Sequence, residues 1–216
     1  MPKHLKRFLT LEVIMFTNKN FTMIKEAITK HPVHELIRKR WSARAFSKKN
    51  IADDTLFTLF EAARWAASSN NEQPWRYIYA KREDKEIFDE MVDCLMPGNQ
   101  PWAKNAAVLI LCIIKTTAGP ENRPNVVAQH DAGLANATLL LQAISENIYG
   151  HMMGGYDKKK TKEQFNIPDG YETVLIMALG YLDSADALEE PFKTREITPR
   201  SRKELSEFIF HKEGKF

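Results

Sequence analysis

The stretch Ala106 to Ile114, Ala-Ala-Val-Leu-Ile-Leu-Cys-Ile-Ile, constrains this chain more than any other. It is apolar without interruption and has the length of a strand rather than a helix. A strand with apolar side chains on both faces must lie between two other layers, so this run predicts the central strand of a covered sheet. Tyr171 to Leu182 (YETVLIMALGYL) predicts a second buried strand. Between them, Val126 to Ile148 predicts a long helix. Val127, Leu134, Ala137, Leu141, Ile144 and Ile148 lie on one side of it, and Ala132, Ala135 and Ala143 keep the remainder slim. A helix apolar nearly all round belongs in a core or an interface. With 216 residues, 44% of them hydrophobic, the chain can bury a proper core as one domain.

The other elements fall around these. Met23 to Lys39, with Ile24, Ile28, Val33, Leu36 and Ile37, predicts a helix interrupted near Pro32. Asp53 or Asp54 can cap a helix whose stripe is Leu56, Leu59, Phe60, Ala63 and Ala67, and Ser68-Ser69-Asn70-Asn71 stops it. After Pro74, Trp75 to Ala80 reads as a strand and Lys81 to Leu95 as a surface helix ending at Pro97-Gly98. A short polar loop with Gly119, Pro120 and Pro124 leads into the long helix, which Gly150 ends; His151 to Asp157 connects to a lysine-rich helix from Asp157 to Phe165. Asp183 to Phe216 reads as an extended arm with a short amphipathic piece at Leu205, Phe208 and Ile209. Strands separated by helices, too few for a doubly wound sheet, predict an α+β fold of the α/β sandwich kind. Residues 1–22 read as an N-terminal arm and 23–216 as the domain.

Several function classes are excluded. A net charge of +3 with no long block of like charges gives no nucleic-acid footprint. Cys94 and Cys112 fit no metal or redox spacing, which points to a reduced, cytoplasmic setting. Lys3, Lys6 and Arg7 precede the apolar stretch Phe8 to Phe16, yet Glu12 interrupts it and no small-x-small site follows. An arm, or a start at Met15 or Met23, is the expected reading. No stretch is long enough to span a bilayer, so no membrane partner is expected. There is no G-x-G-x-x-G, no G-x-x-x-x-G-K-[ST] and no G-x-S-x-G. His34-Glu35 lacks the second histidine of a zinc helix, and the neighbours His130 and Asp131 point different ways on a helix, so no metal is expected. His151, like His130, reads as a structural histidine.

What remains looks like ligand binding. In Arg40-Trp41-Ser42-Ala43-Arg44-Ala45-Phe46, two permanently charged guanidiniums bracket a hydroxyl. At a helix end, residues four apart project on one side, which suits a phosphate dianion. Ala67-Ser68-Ser69-Asn70-Asn71-Glu72-Gln73-Pro74-Trp75 is dense in side chains that both donate and accept hydrogen bonds, as a polar heteroaromatic ring requires. Singly, each piece also fits ordinary structure: a solvated helix end, a plain cap, a Gly154-Gly155 turn, tail charges at Lys193-Thr194-Arg195.

In this order the pieces resemble the FMN-dependent nitroreductase family, over about Glu35 to Arg195. The family's R-x-S-x-R-x-F element corresponds to Arg40 to Phe46, and its S-S-x-N-x-Q-P-W element to Ser68 to Trp75. Its loop before G-[FY]-D corresponds to Met152-Met153-Gly154-Gly155-Tyr156-Asp157, and its G-Y strand end followed by K-x-R to Gly180-Tyr181 and Lys193-Thr194-Arg195. The short loop between Ile114 and Val126 lacks the helical insertion that covers the substrate side in many members. Gly154 stands where others often carry Glu.

The resemblance implies an FMN site in which Arg40 and Ser42, with the adjoining Trp41 and with Lys193 and Arg195, hold the phosphate and ribityl chain. Arg44 lies near the pyrimidine end or the phosphate, and the loop Met152-Met153-Gly154-Gly155 presents a backbone N–H to flavin N5 and O4. The fold implied is a sandwich of helices around a mixed central sheet. Ser68, Ser69, Asn71 and Gln73 serve the flavin of the other subunit of a homodimer, with the long helix at the interface and the tail, 183–216, wrapping the partner. Asn99 and Lys104 are candidates for a further flavin contact. The implied activity is NADH- or NADPH-dependent reduction of a nitroaromatic, quinone or similar small acceptor, with no catalytic side chain because the flavin carries the hard step. The other reading is a flavin-binding protein without nicotinamide turnover: a flavin carrier, or a relative that fragments flavin or dehalogenates reductively.

Overall fold

A computed structural model describes residues 25–212. The arm expected over 1–22 and its alternative starts lie outside the described residues. The elements in order are α1 (Glu35–Lys39), α2 (Asp53–Arg64), β1 (Trp75–Lys81), α3 (Lys85–Asp93), α4 (Gln100–Ala103), β2 (Val108–Lys115), the hairpin strands β3 (Thr117–Ala118) and β4 (Arg123–Pro124), α5 (Ala128–Ser145), β5 (Ile148–Met153), α6 (Lys158–Gln164), β6 (Tyr171–Tyr181) and α7 (Phe192–Ile197).

The apolar run is β2, and it is buried on both faces as its composition requires. The sheet runs β1-β2-β6-β5, every pair antiparallel. Because side chains alternate along a strand, Leu109, Leu111 and Ile113 enter one core with Phe88, Met91 and Trp102, while Val108, Ile110, Cys112 and Ile114 enter another with Leu56, Leu59 and Leu139. Helices α2 and α5 therefore cover one face, and α3, α4 and the segment Trp41 to Phe46 the other. This is the expected α/β sandwich, although among the described residues its sheet pairs only antiparallel where the resemblance implies a mixed one.

The sequence reading is corrected at β5. The long helix stops at Ser145, Asn147 takes a left-handed turn at φ 57°, and Ile148 to Met153 returns as a fourth strand beside β6. Ile148 continues the helical period, and Gly-His-Met-Met has little strand preference, so only pairing with β6 decides the state. Gly150 does not end the helix. It lies in mid-strand, where a Cβ would meet Leu140 Cδ2 at 2.2 Å and Leu179 Cδ2 at 2.7 Å; α5 crosses the sheet closely only because no side chain stands there.

Three smaller differences have local causes. Of the described part of the expected 23–39 helix only Glu35–Lys39 forms, and Ala27 N–H instead bonds Arg38 O at 2.9 Å. Asp53 and Asp54 occupy the first turn of α2, where their charge suits the helix dipole, and the cap position is Ala52. The arm is not extended throughout: Asp183 N–H bonds Ala45 O at 3.0 Å, Leu188 is buried, and α7 packs back on its own chain. Beyond Glu204, Leu205, Phe208 and Ile209 are exposed. Among the described residues no helix is long and apolar enough to cross a membrane.

Candidate functional site

The segment after α1 is extended, with Arg40 at φ −65°, ψ 124° and Phe46 bridging Leu182. In extended chain every second side chain shares a face. Arg40, Ser42 and Arg44 thus share one face, with Ser42 exposed and the two arginines half-buried, while Trp41, Ala43 and Ala45 are buried. The common side foreseen from helical spacing is produced by the strand period instead. Trp41 consequently offers the outer face no side chain; its ring packs edge-on against Tyr149, with centroids 6.2 Å apart. Beneath the segment, the buried Glu196 of α7 accepts the N–H groups of Arg44 (2.8 Å) and Ala45 (2.9 Å) through Oε1.

At the Arg40 end the tail returns. Arg40, Arg200 and Arg202 line one groove of about 450 Å³ together with Val33, Ile37 and the Lys30–Glu204 ion pair. Arg200 is anchored by bonds from Nη1 to Arg38 O (2.9 Å) and Lys25 O (3.1 Å). No ion pair with a carboxylate forms at any of the three among the described residues. Burial, then the charge of Arg202, draws the Arg40 pKa below its ordinary value; burial, then Arg40 and Arg202, does the same to Arg200. Like charges gathered and partly desolvated in one groove are unfavourable until an anion joins them.

The resemblance assigns the phosphate to Lys193 and Arg195 as well as Arg40, and these two do not line this groove. Lys193 pairs with Asp186 at 2.6 Å, and Arg195 lies beside the Phe192 ring at 5.9 Å, close enough for its charge to act on Arg44. Arg200-Ser201-Arg202 offers the same basic-x-basic spacing a few residues later. The sequence signal for it was present, but nothing local distinguished the two pairs.

At the Arg44 end a stack forms. The Arg44 guanidinium lies 5.7 Å from the Trp102 ring, and Trp102 in turn lies against His151, centroids 4.6 Å apart. His151 Nδ1 is 3.1 Å from Ala43 O, so it carries the proton and donates. Burial, then the nearby Arg44 charge, lowers the His151 pKa to about 4. The ring is neutral, and its role is to tie β5 to the arginine segment. Met152 is exposed beyond it and Met153 is buried in the core, so of the two only Met152 can offer a side chain outward.

The loop Gly154-Gly155 follows. Space around a Cβ at Gly154 is open to 4 Å, and neither Gly154 nor Gly155 donates its N–H to a protein acceptor among the described residues. Gly155 O accepts from Met96 N–H and from Asn99 Nδ2, both at 3.0 Å. Asn99 therefore reaches this loop, whereas Lys104 lines a separate cavity with Trp102, Leu188 and Phe192.

The Ser68–Gln73 loop is built elsewhere. Asn70, Asn71 and Gln73 have φ of 49°, 56° and 46°, a left-handed region that asparagine visits readily and that is uncommon for Gln. Ser68 Oγ accepts Gln73 N–H at 3.0 Å, and the buried Asp131 Oδ2 accepts Ser69 N–H at 2.9 Å. Asp131 Oδ1 also meets His130 Nδ1 at 3.1 Å, so these neighbours do converge. No group of three metal-capable side chains exists among the described residues. No hydrogen bond joins this loop to Arg40–Arg44, to Met152–Gly155 or to Arg200–Arg202 within the chain.

This arrangement has known counterparts. The sequence model described as the nitroreductase family matches residues 37–96 and 94–181. The chain belongs to the nitroreductase family. A crystal structure of an oxidoreductase containing FMN is 36% identical, with a TM-score of 0.81 over 92% of this chain and 98% of that one. A nitroreductase family protein from Streptococcus pneumoniae shares the fold, with 22% identity and a TM-score of 0.67 over 82% of this chain and 98% of that one. Among curated relatives, a major NAD(P)H-flavin oxidoreductase from Aliivibrio fischeri is 29% identical over 83 residues, 38% of each chain. Within the nitroreductase family this is a short form: the β3–β4 hairpin occupies the connection between β2 and α5, and no helix is inserted there.

Proposed function

We propose that the chain is an FMN-dependent NAD(P)H oxidoreductase that reduces a nitroaromatic, quinone or similar small acceptor. The observation that carries this reading is the groove of Arg40, Arg200 and Arg202, three guanidiniums without a carboxylate partner among the described residues. A phosphate monoester carries about −1.5 to −2 charges and matches such a cluster. The other pieces fit the rest of FMN. Ser42 stands between Arg40 and Arg44, and the N–H groups of Gly154 and Gly155 meet no protein acceptor among the described residues, with open space at Gly154.

FMN, when bound, supplies hydride acceptance from the nicotinamide and electron delivery to the acceptor. The chain's own contribution is binding and electrostatics. Arg40, Arg200 and Arg202 hold the phosphate. Arg44 places positive charge where the reduced ring becomes anionic, which favours reduction. The N–H of Gly154 or Gly155 fixes the ring edge, and the absence of a side chain at Gly154 leaves the ring face accessible. Ser68, Ser69, Asn71 and Gln73 complete the site from a second copy of the chain. That reading is supported by their separation from the arginine segment within one chain, and by the exposure of Leu134 on α5.

The test is reconstitution. FMN is added to the purified protein, excess is removed, and NADH or NADPH is supplied without oxygen. Bleaching of the bound flavin, reversed by a nitroaromatic or quinone, is expected. Retained FMN that neither nicotinamide bleaches defeats the reductase assignment.

A further inference from the structure

Glu196 is a carboxylate that is only 4% exposed, at the end of the short helix α7. Its two oxygens have different surroundings. Oε1 accepts two backbone N–H groups, those of Arg44 and Ala45. Oε2 is buried without any hydrogen bond, 3.9 Å from Arg44 Nη1. Two backbone bonds suffice to anchor the residue, and an amide could make them as well as a carboxylate. What the charge adds is its field on the Arg44 guanidinium, which is itself mostly buried and so feels that field with little screening.

We infer that Glu196 is the positioning residue of the ring end of the site: Oε1 fixes the Arg44 backbone, and Oε2 orients the Arg44 guanidinium while cancelling part of its charge. This inference rests on the FMN reading above. The cations around the pair are Arg44, Arg195, Lys25 and Arg200; Lys25 feels Glu196, Arg44 and Arg200 and donates to Arg195 O at 3.1 Å. The carboxylate sits inside this group and, among the described residues, is the acid that acts on both Lys25 and Arg44. An anionic reduced ring beside Arg44 is therefore held less strongly than the guanidinium alone would hold it. Glu196 thereby sets the flavin to a lower reduction potential, at which its electrons pass more readily to an acceptor.

The experiment compares the wild-type protein with Glu196→Gln and Arg44→Met. E196Q keeps an oxygen for both N–H groups and removes only the charge. The readouts are the Kd for oxidised FMN by fluorescence quenching, the thermal midpoint, and the midpoint potential of bound FMN by equilibration with a reference dye. In E196Q the reduced flavin is expected to bind about tenfold more tightly relative to the oxidised form, which raises the two-electron potential by about 30 mV. R44M is expected to shift the potential the other way by a similar factor. A potential unmoved in either variant that folds and binds FMN overturns the inference, and loss of thermal stability alone shows a merely structural carboxylate. Failure of the wild-type protein to bind FMN defeats the cofactor reading itself, which is a distinct result.

Discussion

Arg40 and Arg200 come from opposite ends of the chain to line one groove, and neither pairs with a carboxylate among the described residues. There, after burial, the Arg40 charge lowers the Arg200 pKa and the Arg202 charge lowers that of Arg40. The Arg200 guanidinium is held there by the carbonyl oxygens of Arg38 and Lys25 at 2.9 and 3.1 Å. Two segments 160 residues apart in numbering, at Arg40 and Arg200, thus line one groove.

From this follows a contrast among the tail cations. Arg200→Ala and Arg202→Ala are each expected to weaken FMN binding by about 1.5–3 kcal/mol, the value of a charge-assisted hydrogen bond. Lys193→Ala, which breaks only the exposed pair with Asp186, is expected to leave the Kd unchanged. Titration of each variant with FMN by fluorescence checks this, and equal losses at Lys193 and Arg200 would restore the cradle first assigned from sequence.

The His151 ring gives a pH signature. Its folded-state pKa is lowered from 6.5 to about 4, chiefly by burial, so the unfolded chain takes the proton first as pH falls. The stability associated with the neutral ring is complete above about pH 6.5 and is lost on descending towards pH 4, at about 1.4 kcal/mol per unit. His151→Gln should show a shallower decline over the same window in urea unfolding. Parallel wild-type and variant curves would mean that the ring is not the titrating group.

Two glycines separate packing from binding. Gly150→Ala forces a methyl into Leu140 and Leu179 at 2.2 and 2.7 Å and is expected to cost about 1–3 kcal/mol of stability, read from thermal or urea midpoints. Gly154→Ala meets nothing within 4 Å and is expected to keep the midpoint while weakening FMN retention. A destabilised Gly154→Ala with normal FMN binding would remove that loop from the site.

The subunit reading is tested by complementation. Arg40→Ala and Ser69→Tyr, each expected to bind FMN poorly alone, should regain flavin when mixed and refolded together, because one of the two sites in a mixed dimer has both wild-type segments. Leu134→Glu should shift the sedimenting species towards the monomer, since a charge on an exposed apolar helix face opposes its burial. A mixture that never recovers flavin would place the whole site within one chain.

Legibility in the sequence followed locality. Ala106 to Ile114 declared a doubly buried strand because every residue in it is apolar, and no partner was needed to see this. The arginine segment and the Ser68–Gln73 loop were likewise visible as runs of special chemistry. Strand β5 was not, because Ile148 to Met153 carries no strand pattern of its own and is held by its pairing with β6. Nor was the meeting of Arg200 and Arg202 with Arg40 in one groove, or the inward turn of Trp41 and Met153, since these depend on which face or neighbour the folded chain supplies.

The sequence by itself therefore determined the sandwich, the location of its buried strand and the two polar segments, through hydrophobic pattern and residue chemistry. Only the tertiary structure decided that Arg40, Ser42 and Arg44 share a face through extended backbone, that Arg200 and Arg202 join Arg40, and that Glu196 lies under Arg44. Each of these is a contact between residues far apart in the chain, fixed by burial and by backbone hydrogen bonds whose partners no local pattern names.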